Sequence, residues 1–222
     1  MSPAGGKEPW RPPRGRHRLP PEVVARSQRD RLLEAMARVV TEKGYTAATI
    51  SDLTREAGVS RTTFYELFED KEACFLATYD NTVDVLVQRV LAAYEAEERW
   101  PDRARAGLTA LLELLAEEPM LARLALIDVG AAGPAAQRRY RSAVQRLTPL
   151  FDEGRDFAPD GRSLPPNTSR MAIGGVTGLI SDAVLEGNVD GLPGLLSDAL
   201  FATLVPYIGP DAAAREVGEP TR

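Results

Sequence analysis

At 222 residues the chain is long enough for a small head and a helical body of about 150 residues. Ala and Leu are abundant and β-branched alternation is scarce, which points away from a sheet, and a single Cys excludes an internal disulfide. The formal net charge of −5 divides unevenly: residues 1–72 carry 13 Lys/Arg against 11 Asp/Glu, or +2, and residues 73–222 carry 14 against 21, or −7.

Met1 to about Pro21 is a Pro/Gly/Arg-rich stretch that predicts a flexible basic arm, residues 1–21. It holds no apolar core of the kind a secretory leader needs. Arg14, Arg16 and Arg18 lie immediately before the first helix, so the arm either enters a minor groove or lies along the backbone of DNA, or serves only as a solvated leader. Glu22 to Lys43 predicts a helix with Leu32, Met36, Val39 and Val40 on its inner face, ended by Gly44.

The most specific stretch is Thr49 to Phe68. Ile50, Leu53 and Ala57 recur on one face of a first short helix, and Thr49 can cap it. Gly58 stands where that helix must stop and the chain must turn left-handed. Val59 can fill the gap between helices, and Ser60 caps a second helix whose inner face is Phe64 and Phe68. Arg61, Thr62, Thr63, Tyr65 and Glu66 are left facing outward. Two readings fit this periodicity: a solvated surface helix of an ordinary bundle, or a helix-turn-helix presenting its second helix to the major groove.

The continuation through Lys71-Glu72 separates them. Gly44-Tyr45, Thr49-Ile50, Leu53, Ala57-Gly-Val-Ser60, Thr63-Phe-Tyr65, Phe68 and Lys71-Glu72, in that order, resemble the TetR family of bacterial transcriptional regulators over roughly residues 22–75. The rest of the chain matches only in length and helical character. Two positions depart from the family pattern. Leu67 stands where a His is frequent, which removes one phosphate donor, and Leu53-Thr54 replaces a common Ile-Ala pair.

Asp70-Lys71-Glu72 opens a fourth helix expected to run to about Arg99. Cys74 on it reads as a small buried hydrophobe and suits a reducing cytosol. Trp100-Pro101-Asp102 breaks the pattern, and a helix follows from about Asp102 to Glu118 with Leu108, Leu111, Leu112 and Leu115 inward. A short segment runs from Pro119 to Gly130, and Gly133-Pro134 marks a turn. Ala135 to the region of Phe157 predicts a helix that Pro149 kinks or shifts. Asp160 to Pro166 reads as a loop. Thr168 to Gly187 and Gly194 to Ile208 are the last two helices, and residues 210–222 read as a short polar tail. The longest apolar stretch, Met171 to Leu185, contains Asp182 and is too short to span a bilayer.

The expected fold is therefore all-α. A three-helix DNA-binding head with a helix-turn-helix (residues 22–70) precedes a C-terminal helical ligand-binding and dimerisation domain (residues 71–209). The resemblance implies a cytoplasmic homodimeric repressor, released from a palindromic operator by a small hydrophobic or aromatic effector. Half-sites would lie about 34 Å or a multiple apart. Arg61 and Thr63 are expected at base edges, Arg61 because its fork matches guanine O6 and N7. Tyr65, Thr49, Ser51 and Lys71 are expected on phosphates, and Ser60, Thr62, Arg16 and Arg18 complete the DNA-facing set. Lys71 has a plainer account as a surface charge near Glu66 or Glu69.

Pairing of two subunits is expected through about residues 168–208. There Gly174 and Gly178 permit close helix approach and Leu200, Leu204 and Tyr207 form a stripe, although packing within one chain explains these residues equally well. The effector is expected between the fourth helix and those following it. Trp100, Met120, Tyr140, Phe151 and Met171 could line its cavity, with ordinary core packing an equal account. An alternative is a DNA-binding regulator without a small-molecule ligand, whose helical domain only dimerises or binds a protein. Catalysis has little machinery: His17 is in the arm, no Cys/His cluster has zinc spacing, and no G-x-S-x-G turn occurs. No cofactor or metal is expected.

Overall fold

The computed structural model describes residues 20–158 and 163–218, and every element among them is helical. In chain order these are α1 (Pro21–Lys43), α2 (Ile50–Ala57), α3 (Arg61–Leu67), α4 (Lys71–Glu95) and α5 (Trp100–Glu117). There follow α6 (Pro119–Arg123), a π turn (Leu124–Asp128), α7 (Val129–Ala131) and α8 (Pro134–Asp152), which tightens into a 3₁₀ turn at Glu153–Asp156. Then come α9 (Thr168–Leu185), a second 3₁₀ turn (Leu192–Leu195), α10 (Leu196–Ile208) and α11 (Pro210–Gly218). The arm with Arg14, Arg16, His17 and Arg18 lies outside the described residues.

Two apolar cores share one helix. The head core joins Leu32, Met36 and Val40 of α1, Leu53 of α2, and Phe64 and Phe68 around α3 to Cys74, Phe75, Tyr79 and Val83 of α4. The body core joins Leu86, Val90 and Tyr94, also of α4, to α5, α9 and α10. Leu124 and Val129 belong to the head core although they come from the body segment, so the π turn packs directly on α1 and α4. The head boundary expected at residue 70 therefore interrupts no packing: α4 is structurally part of both units.

Several expectations are corrected. Residues 210–218 are not a polar tail but α11. Gly209, at φ 78°, reverses the chain, and Ala213 is fully buried. Arg99 holds Glu216 at 2.8 Å, and Arg105 donates to the Glu216 carbonyl. A nine-residue helix carries too weak a periodicity to read alone; packing supplies its stability. Trp100-Pro101-Asp102 does not precede α5 but begins it, since proline is tolerated in a first turn, where the amide has no helical partner. Pro149 sits inside α8, which continues to Asp152. The loop expected at 160–166 lies partly outside the described residues.

The lower end of the body is held by polar contacts on a buried tryptophan. Trp100, 1% exposed, donates to the Leu150 carbonyl at 2.8 Å and meets the Tyr207 ring edge-on. Gly154 lies so close that a Cβ there would fall 2.5 Å from the Trp100 ring. Tyr94 donates to the same Leu150 carbonyl at 2.9 Å and sits against Glu153, which Arg103 grips at 2.7 Å.

Candidate functional site

The turn between α2 and α3 is built by local hydrogen bonding. At Thr49 a capping box closes: its hydroxyl accepts from the Asp52 amide at 3.2 Å and donates to the Asp52 carboxylate at 2.7 Å, which also accepts from the Thr49 amide. Lys43, then Thr49, hold the Asp52 carboxyl well below the usual carboxylate range. Gly58, at φ 62° and ψ 40°, is the left-handed residue that ends α2, and the amides of Gly58 and Val59 close back on Arg55 and Thr54. Arg31 of α1 adds a guanidinium bond to the Ala57 carbonyl at 3.1 Å. Ser60 then caps α3 by accepting from the Thr63 amide at 2.9 Å.

These caps divide the residues expected at DNA. Arg61 and Thr62 are exposed and, among the described residues, their side chains make no hydrogen bond or ion pair. Tyr65 is 51% exposed with its ring edge-on to Phe64, and Ser51 is also exposed. Thr63 is half-buried and its hydroxyl pairs with that of Ser60 at 2.9 Å. Thr49 and Ser60 thus use their side chains to hold the motif together.

Lys71, expected on a phosphate, is engaged within the head. Its ammonium donates to the carbonyls of Tyr45 and Ala48, both at 2.9 Å, and lies 4.3 Å from the centroid of the Tyr45 ring. It closes the loop between α1 and α2 instead of standing free beside a phosphate. Neither the Lys71 clamp nor the Arg31 cap had a sequence signal, because both depend on where a side chain turns across more than 20 residues of chain. The Asp52 box had one, the Thr-x-x-acid spacing. Leu67, half-buried, packs on the head core.

A second feature lies in the body. Two narrow apolar chambers, of about 60 and 70 Å³, open between α4, α5, α8, α9 and α10. Leu111, Leu147, Ile173 and Thr177 wall both, so the chambers adjoin. Together they follow α4 from Tyr79 to Tyr94, about 22 Å of helix. Three hydroxyls in their walls are already engaged: Thr177 donates to Ile173 at 2.9 Å, Thr203 to Ala199 at 2.8 Å, and Tyr94 to Leu150 at 2.9 Å. Such walls accept hydrocarbon and offer these hydroxyls no role in recognition.

Of the residues expected to line a cavity, Phe151 walls one chamber and Tyr140 the other. Trp100 is core, and Met120 and Met171 are exposed at 40% and 63%. Leu200, Leu204 and Tyr207 are buried within the chain, whereas a Cβ at Gly174 or Gly178 would meet nothing within 4 Å. No helix among the described residues is long and apolar enough to cross a membrane.

Comparison with known proteins places this geometry. Residues 32–78 match the family model of bacterial regulatory proteins, tetR family. The chain is 27% identical over 181 residues to the HTH-type transcriptional activator FasR of Mycolicibacterium smegmatis, covering 82% of this chain and 77% of that protein. The fold is similar to the fatty acid degradation regulator FadR from Bacillus halodurans, with a TM-score of 0.70 at 18% identity over 80% of this chain and 94% of that one. It is also similar to the transcriptional regulator FadR from Bacillus subtilis, solved in complex with stearoyl-CoA, with a TM-score of 0.68 at 17% identity over 80% and 98%.

The Lys71 clamp makes a test. Lys71→Met is expected to cost the head about 1.5–3 kcal/mol, read as a lower unfolding midpoint, and to weaken DNA binding with an unchanged salt slope. A slope shallower by about one at unchanged stability would return the ammonium to a phosphate.

Proposed function

We propose that this chain, whose residues 32–78 match the tetR-family model, is a homodimeric transcriptional repressor released from a palindromic operator by a long-chain acyl effector. One observation carries the reading: α4 closes the head core with Phe75 and Tyr79 and walls the apolar chambers with Val90 and Tyr94. Whatever fills the chambers therefore bears on the helix that seats the head. Stearoyl-CoA in the Bacillus subtilis neighbour supports a linear alkyl ligand, as do the narrow apolar walls.

In this mechanism α3 enters the major groove. Arg61 reads guanine, with Thr62 beside it, and Thr63, whose hydroxyl is held by Ser60, offers its methyl to a neighbouring base edge. Tyr65 and Ser51 meet phosphates and set register without reading sequence. Thr49 and Ser60 contribute by capping α2 and α3 and holding them in place. The arm with Arg16 and Arg18 adds affinity from the minor groove. A ligand seated along α4 favours a spacing of the two heads that no longer matches successive grooves, and it acts only through its different affinity for the two states.

The second subunit packs on the outer face of α9. Met171, Gly174, Gly175, Gly178, Asp182 and Leu185 are all exposed at helical spacing, and Phe201 of α10 is 37% exposed. Small residues with nothing of their own chain against them allow a partner helix to approach closely. A stripe of this kind suits the two-fold contact that a palindrome requires.

Footprinting on the chain's own upstream region is expected to protect a palindrome, and palmitoyl-CoA is expected to relieve that protection. Protection that no acyl compound alters would leave a regulator whose body only dimerises or binds a protein. In the same assay Arg61→Ala is expected to lose about 1–3 kcal/mol at one operator position and relax preference there; an unchanged base preference removes Arg61 as a reader. Gly178→Arg is expected to give a monomer by sedimentation, with native helix content and at least tenfold weaker operator binding, since roughly 1.4 kcal/mol of lost pairing suffices for that. A dimeric Gly178→Arg protein would move the interface elsewhere.

A further inference from the structure

The apolar chambers end at a charged vestibule. Arg139, Ser142 and Arg146 share one face of α8 at i, i+3 and i+7, and Asp80 and Asp84 stand one turn apart on α4. With Tyr79, Val83 and Ala143 they line a third space of about 340 Å³. Tyr79, Val83 and Ala143 are also walls of the chamber behind it. Arg139 pairs with Asp80 at 3.2 Å and Arg146 with Asp84 at 2.6 Å. All four side chains are 42–57% exposed, so each pair adds only about 0–1 kcal/mol to the fold. Structural need alone does not account for two ion pairs at the mouth of a hydrocarbon slot.

Building on the acyl-effector reading, we propose that this vestibule is the headgroup site: Arg139 and Arg146, with the Ser142 hydroxyl, take the anionic head of a linear alkyl ligand whose chain occupies the chambers. The shared chemistry is an anionic oxygen joined to an aliphatic chain, directly as the carboxylate of a free fatty acid or through the pantetheine arm as a phosphate of its coenzyme A thioester. A guanidinium suits the exchange, since its planar fork fits a carboxylate or a phosphate equally well. Each arginine leaves its aspartate for the incoming anion. Asp80 and Asp84 are then unpaired beside a new negative charge.

That repulsion falls on α4, nine and thirteen residues from Lys71, so headgroup recognition and its signal to the head use the same four side chains. Asp80 strengthens the point. Burial pushes its carboxyl up and Arg139 opposes this, so removal of Arg139 leaves the carboxylate in a place that disfavours charge.

Calorimetric titration with palmitic acid, palmitoyl-CoA and 1-hexadecanol tests the site on the full chain. Arg139→Gln with Arg146→Gln is expected to lower affinity for the anionic probes about ten- to a hundredfold while hexadecanol binds as before. Loss of only one anionic probe would identify that head as the natural one. Asp80→Asn with Asp84→Asn removes the competing carboxylates, so it is expected to tighten anionic binding and to weaken the release of DNA that binding causes; a purely structural role for the pairs predicts neither. Unchanged anionic affinity in the arginine variant, with wild type binding all three probes, overturns the headgroup site and leaves the acyl reading standing. A wild-type protein that binds none of the three removes both.

Discussion

Helix α4 must satisfy two cores at once, and the rest of the molecule is arranged around that demand. Its 25 residues span about 37 Å. Cys74, Phe75, Tyr79 and Val83 complete the head, and Leu86, Val90 and Tyr94 complete the body. Close-packed cores do not yield gradually; they repack between discrete arrangements. A single helix embedded in both cannot shift in one without a response in the other. The π turn at Leu124–Asp128 adds a second bond between the units, because Leu124 reaches into the head core from the body segment.

The head, by contrast, is preorganised by short-range contacts. Caps at Thr49 and Ser60, the left-handed Gly58 and the Arg31 bond to Ala57 fix α2 and α3 relative to one another. Lys71 ties the preceding loop to the start of α4 through two carbonyls and a ring. Buried Cys74, its thiol pushed up to about 12 by desolvation, contributes packing rather than reactivity. The consequence is a rigid head whose free surface is narrow: Arg61, Thr62, Tyr65 and Ser51 stand open, and the hydroxyls at 49, 60 and 63 are occupied in positioning them.

The body has the opposite character. Of the hydroxyls in its chamber walls, those of Thr177 and Thr203 are satisfied within their own helices and that of Tyr94 by the Leu150 carbonyl of α8. Charge is confined to the mouth, where Arg139 and Arg146 meet Asp80 and Asp84 across the α4–α8 contact. In the mechanism proposed here an apolar slot with a charged rim separates affinity, which scales with buried hydrocarbon, from the electrostatic event at α4.

Much of this molecule was legible in order along the chain. The bounds of α1, α2 and α3, the cap at Ser60, the turn at Gly58, the inward Phe64 and Phe68, and the two long helices near the C-terminus all follow from periodicity and capping, which are local properties of neighbouring residues. The same locality made the outward Arg61, Thr62 and Tyr65 readable. What the linear order left open was where side chains travel once helices meet. The Lys71 ammonium turned inward to carbonyls 23 and 26 residues away, residues 210–218 found a surface that made a helix of them, and Leu200, Leu204 and Tyr207 went to the core while Gly174 and Gly178 stayed open. The chambers and their charged mouth belong to this second group. They exist only because α4, α5, α8, α9 and α10 converge, and a cavity is a property of non-local packing that no one segment encodes.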